Sequence, residues 1–218
     1  MTSSCVVQFA KRPVPGRVKT RMQPDLSEQE SVQLHIRLLE FTRSTLSATR
    51  DWDYQLWFSE KSLPQDPVSD FYEGAQLQQG DDLGQRMSHC FETLLERYEQ
   101  VILIGSDCPY FSVGHLQQVA DYLLKGSEVV LTPAHDGGYV LIALRRFSAS
   151  LFQGIEWGTD RVLDQTLERL QQLAWPYQLM PALGDIDRPQ DLSDFLGAPE
   201  AELVLGSVLY DSLSRLRA

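Results

Sequence analysis

Val101-Ile102-Leu103-Ile104-Gly105-Ser106-Asp107 is the stretch on which the fold turns. Four consecutive apolar residues with no polar alternation suit a strand covered on both faces, as at the centre of a parallel sheet. The run stops at a glycine and delivers an aspartate directly after the strand. Outward from it the same grammar repeats. Cys5 to Ala10 reads as a first strand closed by the turn-rich Arg12-Pro13-Val14-Pro15-Gly16. Tyr54 to Ser59 reads as a second strand, and Ala75 to Gln79 as a weaker third after a Pro-rich connection. Glu128 to Thr132, Tyr139 to Leu144 and Tyr177 to Met180 complete the series. Between them lie helical stretches. Ser27 and Glu30 form a capping box ahead of Val32, Ile36, Leu39 and Leu46 on one face. Gly80-Asp81-Asp82-Leu83-Gly84 leads into a helix through about Tyr98, with Met87, Phe91, Leu94 and Leu95 inward. Further helices cover about Val113 to Leu124 and Asp160 to Leu173, start at Pro189 as a favoured N1 residue, and close the chain after Pro199. Strand and helix alternate throughout, which predicts an α/β fold with a mostly parallel sheet and helices on both faces.

Bulk properties narrow the function classes. At 218 residues, with 43% hydrophobic and 22% charged residues, the chain reads as one globular domain. A formal net charge of -11 argues against duplex nucleic acid as the main partner, since phosphate backbones select basic surfaces. Three cysteines (Cys5, Cys90, Cys108) lack CxxC spacing and leave one unpaired, pointing to a reducing, cytoplasmic setting without a disulfide framework or zinc site. The N-terminal apolar run is too short for a signal peptide core, and no stretch reaches the roughly 18 apolar residues of a membrane span.

Ligands of open α/β sheets bind beyond the carboxyl ends of the strands, and three strand ends carry chemistry. After the first strand, Lys11, Arg12, Arg17, Lys19 and Arg21 fall close together with no acid among them. Lys and Arg on a Gly/Pro-rich loop hold phosphate oxygens; a solvated basic turn is the plain alternative. The loop is not a Walker A motif, because Arg17-Val18 separates Gly16 from Lys19-Thr20. Asp107 stands where a carboxylate serves a divalent metal that takes one or two protein carboxylates plus phosphate oxygens, or where it caps the next turn. Gly184-Asp185-Ile186-Asp187-Arg188-Pro189 puts two aspartates on one face if extended; they supply further metal ligands or a helix cap. Asp136-Gly137-Gly138 reads locally as a hairpin turn, with Asp136 alternatively a general base. Trp157-Gly158-Thr159-Asp160 resembles a helix start with Thr159 as cap, leaving Trp157 as core or substrate platform. His35, His89 and His115 fall on or near predicted helices and carry no site signal; only His135 lies beside one. Neither a Gly-x-Ser-x-Gly elbow nor a Gly-x-Gly-x-x-Gly fingerprint is present.

Together these segments resemble a family of small bacterial proteins in the glycosyltransferase-A-like, nucleotide-diphospho-sugar transferase superfamily. Its members carry the labels arsenosugar-biosynthesis or radical-SAM-associated glycosyltransferase. The matching stretches are Phe9 to Pro13 with Pro15 to Arg21, Gly80 with Asp82 to Met87, Gly105 to Pro109, Pro133 to Tyr139, Trp157 with Thr159, and Asp185 to Asp187 with Pro189. Gly158 and Arg188 depart from the usual Ser and small hydroxyl residue. The resemblance implies a three-layer α/β/α arrangement around a mixed seven-stranded sheet. It implies a nucleotide-binding half over about 1–110, an acceptor half over about 111–198 and a C-terminal helix over about 199–218. Carried over, Lys11, Arg12, Gly16, Lys19 and Arg21 lie along the phosphates, and Gly80, Asp82, Leu83, Arg86 and Ser106 near the nucleotide. Gly137, Gly138 and Trp157 fall on the acceptor side. Asp107, helped by Asp187 or Asp185, takes Mg²⁺ or Mn²⁺. The implied activity moves a sugar from a nucleoside diphosphate sugar to a small acceptor, with Asp136 and Lys19 catalytic. The alternatives are nucleotidyl transfer from a nucleoside triphosphate to a phosphorylated acceptor, and a nucleotide-binding module without turnover. Oligomeric state stays open.

Overall fold

The computed structural model describes residues 4–48, 52–61, 72 and 74–216. The Pro-rich connection ahead of the third strand falls largely outside them. The described residues build one seven-stranded sheet in the order β3-β2-β1-β4-β6-β5-β7. Strand β1 spans Ser4–Ala10, β2 Trp52–Phe58, β3 Gln76–Leu77 and β4 Gln100–Ile104; β5 spans Val129–Pro133, β6 Tyr139–Leu144 and β7 Tyr177–Leu179. All seven residues of β1 and all five of β4 are buried, as expected of strands covered on both faces. They pair in parallel, Ser4 opposite Gln100. Strand β6 alone runs antiparallel to its neighbours β4 and β5. The carboxyl ends of the other six strands therefore open at one edge.

Helix α2 (Leu83–Leu95) and α4 (Val162–Gln172) cover one face, where Met87, Phe91 and Leu170 pack with Val7, Leu103 and Ile142. Helix α3 (Val113–Leu124) covers the other, where Leu116, Val119 and Leu123 meet Ile102, Ile104 and Val130. Helix α1 (Glu28–Ser47) begins with the expected Ser27–Glu30 capping box, and Leu34 and Leu38 pack against α5 (Pro189–Leu196) and the chain beyond it. The inward stripe of α1 differs from the predicted one: His35, Leu38 and Thr42 are buried with Val32, Leu39 and Leu46, while Ile36 is only half-buried. Two polar residues on that face hid its true phase.

Two helix boundaries also differ. Helix α4 starts at Val162, and Thr159 does not cap it; its Oγ1 donates to Glu156 O at 2.8 Å and closes the preceding turn. The C-terminal helix is two, α6 (Ala201–Leu205) and α7 (Ser207–Leu213), broken at Gly206 with φ 74°, a conformation a continuous helix cannot contain.

Candidate functional site

Two cavities open side by side at the carboxyl edge of the sheet, and Asp187 lines both. The smaller, about 300 Å³, is bounded by the ends of β1 and β4 and the start of α2. Its charged lining is Lys11, Lys19 and Arg86 against Asp107 and Asp187. The larger, about 540 Å³, lies between the β5–β6 hairpin, Tyr110 and the segment from Ala182 to Asp194. It sets five carboxylates (Asp136, Asp185, Asp187, Asp191, Asp194) against Arg21 and Arg188.

Lys19 organises the basic cavity. Its backbone sits in the left-handed region at φ 51°, a conformation costing about 1–3 kcal/mol for a residue with a side chain. The ammonium is buried, its side chain 2% exposed, and lies 2.6 Å from Asp107 Oδ1; it also donates to Ile186 O. The loop after β1 is thereby pinned to both the end of β4 and the segment after β7. Asp107 divides its carboxylate between two environments. Oδ1 is buried, facing Lys19 and, at 3.9 Å, His35 Nδ1, yet the side chain as a whole is 43% exposed. The second oxygen accordingly faces the cavity. Burial raises the pKa of Asp107, but the Lys19 ammonium, aided by His35 and Lys11, more than reverses this and holds it below the ordinary carboxylate value.

His35 is the site residue that sequence reasoning passed over. Its Nε2 stands 2.9 Å from Lys11 O, and a carbonyl only accepts, so Nε2 carries the proton. Burial keeps the imidazole below its ordinary pKa despite the nearby Asp107. The signal was a histidine spaced from Val32 and Leu39 on the buried stripe of α1. Gln78 was missed as well. Its Nε2 donates to Trp57 O at 2.8 Å and Ala10 O at 3.4 Å, buttressing the cavity floor. Ser106 is buried and bridges β1 and β4, donating to Phe9 O at 2.9 Å and accepting from Gln8 Nε2 at 3.0 Å.

Other expected site residues divide between structural places and the cavity walls. Arg12 is buried with its guanidinium 3.9 Å from the centroid of the Phe58 ring, behind the loop rather than in either cavity wall. Gly16 adopts φ 73°, beside the Glu28 carboxylate. Asp82 caps α2, accepting from Gln85 N at 2.7 Å. Gly80 accepts from Arg86 Nε at 3.0 Å, steadying a side chain that does line the basic cavity with Leu83. A Cβ on Gly84 would lie 2.3 Å from Trp157 Nε1, so Trp157 is packed onto α2 and the core, not presented in either cavity. Gly137 is likewise a packing glycine: at φ 89°, a Cβ would fall 2.1 Å from Asp160 O. Gly138 donates to Asp136 Oδ1 at 3.0 Å, confirming the hairpin turn, and Asp136 also lines the acidic cavity.

Asp185 and Asp187 both face the cavities, but in different circumstances. Asp187 Oδ2 pairs with Arg21 at 2.6 Å. Asp185 has no hydrogen bond or ion pair among the described residues. Burial, with Asp136, Asp107 and Asp187 close by, pushes its carboxyl up to about 6. Asp191 caps α5, accepting from Asp187 N at 3.0 Å and Arg188 N at 2.7 Å. Among the described residues no three His, Cys, Asp or Glu groups converge as a ready-made metal site. The donor set instead fits a hard cation held by one or two carboxylates and completed by phosphate oxygens and water: one Asp107 oxygen is open, and Asp185 sits among like charges that the nearby Lys19 ammonium offsets only in part.

Sheet order and edge geometry are those of a nucleotide-diphospho-sugar transferase-like α/β fold. The solved structure of a protein provisionally named nucleotide-diphospho-sugar transferase from Desulfovibrio desulfuricans G20 superposes with TM-score 0.86, at 27% identity over 99% of this chain and 95% of that one. A cytidylyltransferase from Leptospira borgpetersenii shares the fold at TM-score 0.53 and 13% identity, over 99% and 97% of the two chains. A 4-diphosphocytidyl-2C-methyl-D-erythritol synthase from Anaerococcus prevotii does so at 0.54 and 10%, over 87% and 94%. No curated protein matches. The family model described as "Uncharacterized protein conserved in bacteria (DUF2064)" matches residues 42–159, and the chain belongs to that family.

Proposed function

We propose that the protein is a divalent-metal-dependent transferase that moves a sugar from a nucleoside diphosphate sugar to a small acceptor. The observation that carries this reading is the junction of a basic and an acidic cavity at one sheet edge, with Asp187 in the wall of both. The name of the Desulfovibrio protein agrees with it. In this reading the diphosphate lies in the basic cavity against Lys11, Lys19 and Arg86. Asp107, with Asp185 or Asp187, holds Mg²⁺ or Mn²⁺, which supplies Lewis-acid neutralisation of the diphosphate when bound. The bond between the sugar's anomeric carbon and the diphosphate oxygen breaks, and the acceptor hydroxyl oxygen takes that carbon. Lys19 and Arg86 stabilise the charge developing on the leaving diphosphate, the kind of fixed electrostatic contribution that dominates many enzymes. Asp136, in the acidic cavity, accepts the hydroxyl proton. His35, buried with its Nε2–H donating to Lys11 O, holds the backbone of Lys11 rather than transferring a proton.

The test is a thermal-shift panel of UDP, GDP, CDP and ADP, their triphosphates and sugar adducts, each with and without Mn²⁺. A ligand at about 100 times its dissociation constant adds roughly 2.7 kcal/mol. A metal-dependent shift with one diphosphate or its sugar adduct is the expected result and names the base. Preference for a triphosphate, followed by pyrophosphate release with a phosphorylated acceptor, replaces sugar transfer by nucleotidyl transfer. Absence of any shift leaves neither.

A further inference from the structure

We propose that Gln78 selects the nucleobase of the donor. It favours a base that carries a hydrogen on its ring nitrogen (uracil or guanine) over one that carries a lone pair there (cytosine or adenine). The proposal rests on reading the basic cavity as the seat of a nucleoside diphosphate. Strand-end residues in the lining of that cavity are sorted along the order β3-β2-β1-β4. Asp107, with Lys19 held against it, stands at the β4 end. Ser59 follows β2 and Gln78 follows β3, and neither is charged. Arg86 enters from α2, tethered by its Nε to Gly80 O at 3.0 Å, and is left to the diphosphate. Leu83, 46% exposed, lines the cavity from the start of α2 and offers apolar surface that a base ring can cover.

Gln78 gives this end of the cavity its polar chemistry. It is 8% exposed in a segment where Gln76, Leu77, Gln79 and Gly80 are all exposed, and buried polar atoms are almost always partnered. Its Nε2 donates to Trp57 O at 2.8 Å and to Ala10 O at 3.4 Å. Carbonyls only accept, so the amide cannot be turned round, and both of its N–H bonds are in use. Oε1 is left without a donor among the described residues, and it is not one of the polar atoms sealed in the interior. It opens into the cavity that Gln78 lines. Towards a ligand the side chain therefore accepts and does not donate. Uracil N3–H and guanine N1–H meet that demand directly. Cytosine and adenine bring a ring lone pair to the same edge and reach Oε1 only through an exocyclic amine, a less acidic and weaker donor. A site built around a hydrogen bond discriminates against a partner that fails to complete it.

The experiment titrates the full chain with UDP, GDP, CDP and ADP in the presence of Mn²⁺, read by calorimetry. The tighter of UDP and GDP is expected to exceed both CDP and ADP by at least about fivefold, the scale of one net hydrogen bond. Its ring-methylated derivative, N3-methyl-UDP or N1-methyl-GDP, should fall to the level of CDP and ADP on the unaltered protein. Gln78→Met removes the amide and should bring the four affinities within about twofold of one another. That variant also loses two hydrogen bonds to β1 and β2, and the methylated ligand decides the matter even where the variant does not fold. Tighter binding of CDP or ADP, indifference to methylation, or selectivity that survives in Gln78→Met overturns the proposal. So does a loss of affinity on removing the ribose hydroxyls with none on methylation, which makes Gln78 a ribose ligand. Equal binding of all four diphosphates leaves the nucleotide reading standing and refutes the base selection. Binding by none of them removes the nucleotide reading and the base selection together.

Discussion

The basic and acidic cavities share a wall and a sheet edge, but they are built in opposite ways. In the basic cavity the key charges are already matched: Lys19 is buried against Asp107, and His35 is fixed by Lys11 O. In the acidic cavity Asp185 has no partner among the described residues, and the carboxylates near it raise rather than lower its pKa. A matched charge network is rigid before ligand arrives, whereas an unmatched one acquires its counter-charge only with the ligand. In the proposed reading the first receives the donor's diphosphate and the second the acceptor.

The contrast can be broken most forcefully at Asp107. Asp107→Ala is expected to lower sugar transfer by about 10²–10³-fold, the scale of losing one fixed electrostatic group, while metal-free pyrophosphate affinity changes by less than about threefold. Steady-state kinetics and calorimetry check the two halves, and an equal loss of both would mean that Asp107 serves only to hold Lys19. Next comes Gly137→Ala. Its Cβ would lie 2.1 Å from Asp160 O at φ 89°, and overlap plus left-handed strain costs about 2–4 kcal/mol. A fall in melting temperature of roughly 6–12 °C follows, read by thermal unfolding. A fall of under 2 °C would show that the hairpin shifts freely and that the acidic cavity is not fixed in shape.

A smaller effect of opposite sign is expected at Asp185. Its folded-state pKa is raised from 3.8 to about 6, so its contribution to stability is full below about 3.8 and is lost as pH rises through about 6. Asp185→Asn in EDTA should therefore stabilise the protein at pH 7.5 by about 1 kcal/mol, after allowing for partial solvent screening. The gain should disappear toward pH 4. Melting curves across that range decide it, and a gain independent of pH would place its origin outside the carboxylate. The smallest expected effect belongs to Arg21, whose pair with Asp187 is half-exposed. Arg21→Ala should change stability by no more than about 1 kcal/mol.

The sheet was legible because its signals were local. The apolar run of β4 ending in Asp107, the buried β1 and the β5–β6 hairpin each announce themselves within a few residues. The basic loop was legible as charge but not as geometry. Nothing in its sequence separates Lys19, which is buried, from Arg12, which lies on Phe58, or from Arg17, which pairs with Glu60 at 2.8 Å. Those partners come from β2, β4 and the segment after β7. His35 and Thr42 were invisible because a search for apolar periodicity discounts polar residues even when they occupy the stripe. The acidic cavity escaped notice as a whole, since Asp136, Asp185 and Asp194 meet only after β5, the segment after β7 and α5 have packed together.

The reversed strand β6 also bears on the order of assembly. Its pairing with β5 joins Val129 to Leu144 across a short loop, while β1 must find β4 with Ser4 opposite Gln100. Closing a short loop costs less entropy than closing a long one, and topology governs folding speed in this way. The hairpin that carries Asp136 is thus a local unit able to form early, while the basic cavity exists only once the two ends of the chain have been gathered.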